Sequence, residues 1–108
     1  MRNNKLLAMI SLTRKAGKLV FGFDAVVEAA EKGEVKLIVF AEDLSARTKS
    51  SVEKAVNSGK YPPRMLDTKL SMFDYAQICG KPVGVLAIKD DGLATAITGL
   101  IKEESNIC

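Results

Sequence analysis

Apolar positions along this chain follow two alternating rhythms. Leu6, Leu7, Met9, Ile10, Thr13 and Ala16 recur at helical spacing behind Asn3 and Asn4, which can act as caps, and Gly17 is a natural stop. Lys18 to Phe21 is a short extended stretch, after which Gly22 opens a second helix with Val26, Val27, Ala29 and Ala30 facing inward and Gly33 ending it. The run from Val35 to Ala41 is almost continuously apolar, which predicts a strand covered on both faces. Glu42, Asp43, Leu44 and Ser45 lead into a third helix carrying Val52, Ala55 and Val56, with a stop at Asn57, Ser58 and Gly59. Arg64 to Asp67 predicts a short strand after Pro62 and Pro63. Leu70, Phe73, Tyr75, Ala76 and Ile78 fit a fourth helix closed by Gly80, and Val83 to Ile88 a second fully apolar strand. Asp90 and Asp91 can cap a last helix, in which Leu93, Ala94, Ile97, Leu100 and Ile101 share one stripe.

Short strands alternating with helices predict an α/β fold, specifically a three-layer α-β-α sandwich around a central mixed sheet of about four strands. With 108 residues, 47% hydrophobic and 27% charged, the chain suits one domain over 1–108 with a real core. It contains no internal repeat and no low-complexity linker. No apolar run approaches the roughly 18 residues of a membrane span, and the basic N-terminus does not lead into a signal-peptide core. The expectation is a cytoplasmic protein with no membrane partner.

Charge sharpens the picture through its distribution. Residues 1–23 carry Arg2, Lys5, Arg14, Lys15 and Lys18 without a single acid, whereas the remaining 11 bases and 13 acids give −2. Clustered cations gain affinity for polyanions by displacing counterions from phosphates. Catalytic chemistry is poorly supplied. There is no histidine, so neutral-pH acid–base work lacks its usual agent. Cys79 and Cys108 match no metal-ligand spacing and read as free thiols in a reducing compartment. Gly17 and Lys18 lack the rest of a phosphate-binding loop, with Leu12 and Leu19 at the positions that would need glycine and a hydroxyl. The acid pairs at 42–43 and 90–91 each precede a helix, where carboxylates cap. No enzyme activity, cofactor or metal is expected.

Three junctions remain: Gly17 to Phe23, Glu42 to Arg47 and Gly80 to Gly84. They combine glycine, small residues and charge. The second helix starts at Gly22, where unbonded N–H groups and the helix dipole favour a phosphate and a missing side chain permits close approach.

The segments KAGKLVFGFDAVVEAAEKGEVKLIVFAEDLS and YAQICGKPVGVLAI, in that order and at that distance, resemble the kink-turn RNA-binding ribosomal protein family, the L-seven-Ae and L-thirty-e type. The resemblance runs from about Leu6 to Ile97 and is closest to the small bacterial YlxQ-type branch. It implies an α-β-α sandwich that grips a sharply bent RNA internal loop with sheared G·A pairs. It also implies that the start of the second helix enters the widened groove, with Asp24 at the position that contacts guanines, flanked by Phe23 and Ala25. Lys81, Pro82 and Val83 match the loop whose apolar strip stacks on an extruded base. Departures from the family pattern are Ala25, Glu28 where a lysine is usual, and Tyr75 with Ala76 in the fourth helix. Asp24 can accept a hydrogen bond from guanine N1 or N2 but cannot donate to O6. The resulting expectation is an RNA-binding accessory protein, partnered by ribosomal or messenger RNA and by ribosome or transcription–translation proteins. Its contact edge would comprise Lys18, Gly22, Asp24, Arg47 and Lys81 to Val83. The alternative is a protein-interaction module on the same fold whose acids Asp24, Glu28, Glu42 and Asp43 meet a basic partner. A third reading, a detached substrate-binding domain like those preceding some RNA methyltransferases, lacks its catalytic domain in this sequence.

Overall fold

The structure, a computed structural model, describes residues 3–57 and 62–106. Along these the elements run α1 (Asn3–Lys15), β1 (Leu19–Phe21), α2 (Phe23–Glu31), β2 (Leu37–Phe40), α3 (Ala46–Asn57), β3 (Arg64–Asp67), α4 (Met72–Cys79), β4 (Val85–Ile88) and α5 (Asp91–Asn106). Ser58, Gly59 and Cys108 lie outside the described residues.

The strands form one mixed sheet in the order β1-β4-β2-β3. β4 runs antiparallel to both β1 and β2, while β3 lies parallel to β2. The two unbroken apolar runs therefore occupy the centre, buried on both faces, and the polar strand Arg64–Asp67 takes an edge. Strand alternation then sorts the core. Leu37, Val39, Leu86 and Ile88 point to one face, where they pack with α1, α4 and α5. Ile38, Phe40, Val85 and Ala87 point to the other and pack with α2 and α3. The result is the three-layer sandwich that the alternation of elements predicts.

Details depart from the sequence pattern where side-chain hydrogen bonds set the helix starts. Leu70 precedes α4 rather than joining it, because Ser71 is the N-cap and forms a reciprocal capping box with Asp74. Once Tyr75, Ile78 and Cys79 face inward, Phe73 lies two residues away, roughly 200° round the helix, and is 72% exposed. Asp90 caps the last helix as expected, accepting from Leu93 N at 2.9 Å. Asp43 does not cap the helix that follows it. Its carboxylate accepts from Met72 N at the start of α4, 2.8 Å away, while Ser45 Oγ accepts from Thr48 N in α3.

Candidate nucleic-acid interface

Because β4 is antiparallel to its neighbours, the C-terminal ends of β1 and β2 meet the N-terminal end of β4. Phe21 pairs with Leu86 and Phe40 with Val85. This gathers Gly22, the segment from Ala41 to Arg47 and the loop from Gly80 to Gly84 at one end of the sheet. Gly22 N donates to the Val85 carbonyl at 3.1 Å, and Ala41 N donates to the Gly84 carbonyl at 2.9 Å. Gly84 is needed for this closure: a Cβ there would come within 2.5 Å of Leu44, which packs against both core layers.

Gly22 adopts φ 96° and ψ 150°, a conformation essentially reserved for glycine, and open space lies above its Cα. As the N-cap of α2 it supplies no side-chain acceptor. The first amides of the helix are thus left for an outside oxygen, and Phe23, Asp24 and Ala25 are all exposed around them.

Arg47 at the start of α3 and Lys81 after α4 are exposed and pair with no carboxylate among the described residues. The fold adds a cation that no motif marks. Arg14 lies 5.9 Å and Lys81 5.8 Å from the centroid of the Phe21 ring, and Arg14 also donates to the Ile78 carbonyl. Helical spacing shows only that Arg14 is exposed on α1; its approach to Phe21 and Lys81 depends on how α1 packs across the sheet. Both charges reach Cys79, whose thiol burial pushes up and whose rise they partly oppose. Of the acids Asp24, Glu28, Glu42 and Asp43, the first and third are exposed and the other two have partners. Asp43 holds the start of α4, and Glu28 pairs with Lys32 at 3.1 Å, which raises the Lys32 pKa.

Two expected members of the edge are placed elsewhere. Lys18 stands at the opposite end of β1, its carbonyl accepting from Lys89 N at 2.9 Å. Four residue steps along β1 separate it from Gly22, about 13 Å along the strand. Val83 is only 8% exposed and belongs to the core beside α4 and α5, which leaves Pro82 as the apolar surface of its loop. Among the described residues no group of three or more His, Cys, Asp or Glu could hold a metal ion. No helix among them is long and apolar enough to cross a membrane.

Known proteins resemble this chain in sequence, and solved structures share its fold. The RNA-binding protein YlxQ of Enterococcus faecium is 30% identical over 98 residues, covering 91% of this chain and 92% of the relative. The protein of the same name from Bacillus subtilis is 26% identical, covering 86% and 91%. The large ribosomal subunit protein eL30 of Methanosarcina mazei is 31% identical over 80 residues, 72% of each chain. Among solved structures, a Bacillus halodurans protein of unknown function superposes with a TM-score of 0.78 at 24% identity, covering 91% of this chain and 97% of that one. The 15.5 kD RNA-binding protein of Giardia lamblia has the same fold, with a TM-score of 0.63 at 14% identity over 99% and 90% of the two chains. Residues 4–98 match the family as a whole, nearly the full span of the sandwich, and the chain belongs to the ribosomal protein L7Ae/L30e/S12e/Gadd45 family.

Proposed function

We propose that this protein is a non-enzymatic RNA-binding accessory protein of the ribosomal type. Its preferred ligand is a kink-turn or a similarly bent internal loop, gripped at the Gly22 end of the sheet. The observation that carries this reading is the convergence there of an uncapped helix start with Arg14, Arg47 and Lys81, none paired to a described carboxylate. Phosphates suit such a combination, since amides and helix dipole act at short range while the cations release counterions. Relatives described as RNA-binding proteins lend support. In this reading Gly22 admits the backbone, Asp24 with its neighbours Phe23 and Ala25 meets bases, Pro82 packs on an extruded base, and ribosome-associated proteins are neighbours in the cell. Asp24 accepts from guanine N1 or N2, selecting the protonated faces that sheared pairs turn into the groove.

The test is a fluorescence titration of a kink-turn RNA and a plain duplex of equal length across a salt series. Preference for the kink-turn persisting at about 150 mM salt is expected. Equal and steeply salt-dependent binding to both would reduce the edge to a phosphate patch. No binding would leave exposed Asp24 and Glu42 as a surface for a basic protein.

A further inference from the structure

Besides the Tyr75 hydroxyl, three threonines place a hydroxyl in the interior among the described residues. Thr13 donates to the Met9 carbonyl at 2.8 Å. Thr68 donates to the Phe40 carbonyl at 3.0 Å and meets the Tyr75 hydroxyl at 2.7 Å. Thr98, on α5, is 9% exposed, and its hydroxyl has no hydrogen-bond partner among the described residues. A buried hydroxyl without a partner is destabilising, and native proteins leave few of them.

Thr98 lines a groove of about 820 Å³ at the end of the sheet opposite Gly22. Around it stand Lys36 before β2, Arg64 at the start of β3, and Lys102 and Thr95 on α5. None of the three cations is ion-paired with a described residue, and one carboxylate, Asp91 in the first turn of α5, also lines the groove. Three positive charges against one negative leave a net of +2, more than one carboxylate ligand needs. An arginine fork matches phosphate oxygens, and the hydroxyls of Thr95 and Thr98 add donors. The volume falls within the range of roughly 300 to 1,000 Å³ typical of small-ligand sites.

We infer that this groove is a second anion site, binding a phosphate group through Lys36, Arg64 and Lys102 with Thr98 Oγ1 donating to a phosphate oxygen. It lies across the sheet from the proposed RNA edge and does not depend on that reading. The phosphate can come from a free nucleotide or from an RNA strand, and one experiment separates the two. Backbone amide NMR of the full chain is recorded with ADP, and separately with a single-stranded RNA of about eight nucleotides. Shifts centred on Lys36, Arg64 and Thr98 are expected, and with RNA they should form a group separate from any at Gly22 and Asp24. They should weaken by roughly tenfold or more in Arg64→Gln/Lys102→Gln, both exposed substitutions. Shifts with ADP identify a free nucleotide as sufficient, and shifts with RNA alone identify the strand as the source. Shifts with neither probe, or shifts that survive the double substitution, overturn the site. Thr98→Val gives an independent reading: melting temperature unchanged or raised, with severalfold weaker binding. A lowered melting temperature would mean that the hydroxyl already has its partner within the fold, and would overturn Thr98 as a ligand group.

Discussion

The two ends of the sheet each carry a buried threonine and cations that pair with no described carboxylate, but they are built differently. At the Gly22 end Thr68 is fully bonded, to the Phe40 carbonyl, to Tyr75 and to Leu70 N. That network braces the loops from which Arg47 and Lys81 project. At the other end Thr98 has no hydrogen bond among the described residues, and the cations surround a groove rather than a protruding helix start. β2 sets the two apart: Lys36 N bonds Ile88 O at one end and Ala41 N bonds Gly84 O at the other, five residue steps or about 17 Å. A satisfied polar network makes a rigid platform for a large ligand, whereas an unsatisfied buried donor beside unpaired cations is a place for a ligand to complete. Net charge alone would not separate the two ends; hydrogen-bond satisfaction does.

The largest effect is expected at Gly22. Gly22→Ala forces a side chain into φ 96° and should cost about 1 to 3 kcal/mol in denaturant unfolding, together with RNA affinity. An unchanged unfolding midpoint would show that the backbone relaxes freely there. Next in size, Arg47→Ala with Lys81→Ala should weaken RNA binding about tenfold and flatten its salt dependence by roughly 0.9 per lost phosphate contact. A slope equal to wild type would remove these two from the interface. The brace itself is probed by Tyr75→Phe. Its hydroxyl donates to Thr68, whose own proton goes to Phe40, so the loss should be about 1 kcal/mol by calorimetry. Burial holds the Tyr75 hydroxyl well above its ordinary pKa. The folded state alone resists deprotonation, so this stabilisation is complete below about pH 10 and declines as pH climbs above it. Tyr75→Phe should lose that alkaline decline; an identical decline in the variant would assign it to other groups. The smallest effect is expected at Lys18→Ala, which should leave kink-turn affinity and its salt slope unchanged because Lys18 stands at the far end of β1. A loss comparable to that of Lys81→Ala would mean the RNA reaches across the sheet.

Element order, the two central strands and the chemistry of the Gly22 turn follow from local pattern. LIVF and VLAI are apolar at every position because they are covered on both faces, and Asp90 caps the helix next to it in sequence. Such features depend on residues within a few positions of one another. Gly22 belongs with them, since the positive φ at the head of α2 excludes other residues whatever surrounds it. Arg14 beside Lys81 does not, nor does Asp43 reaching Met72, nor the separation of Lys18 from Gly22. Each is fixed by the antiparallel placement of β4 between β1 and β2, which folds distant segments onto one end and sends neighbours to opposite ends. The same placement buries Val83, which a sequence pattern can only mark as apolar. Thr98 falls in the helical stripe without any sign that its hydroxyl would be stranded. Local sequence determined which elements form and where the chain turns, because backbone preference and side-chain period act over a few residues; which charges meet, and which buried donor lacks a partner, was decided only when the sheet brought distant segments together.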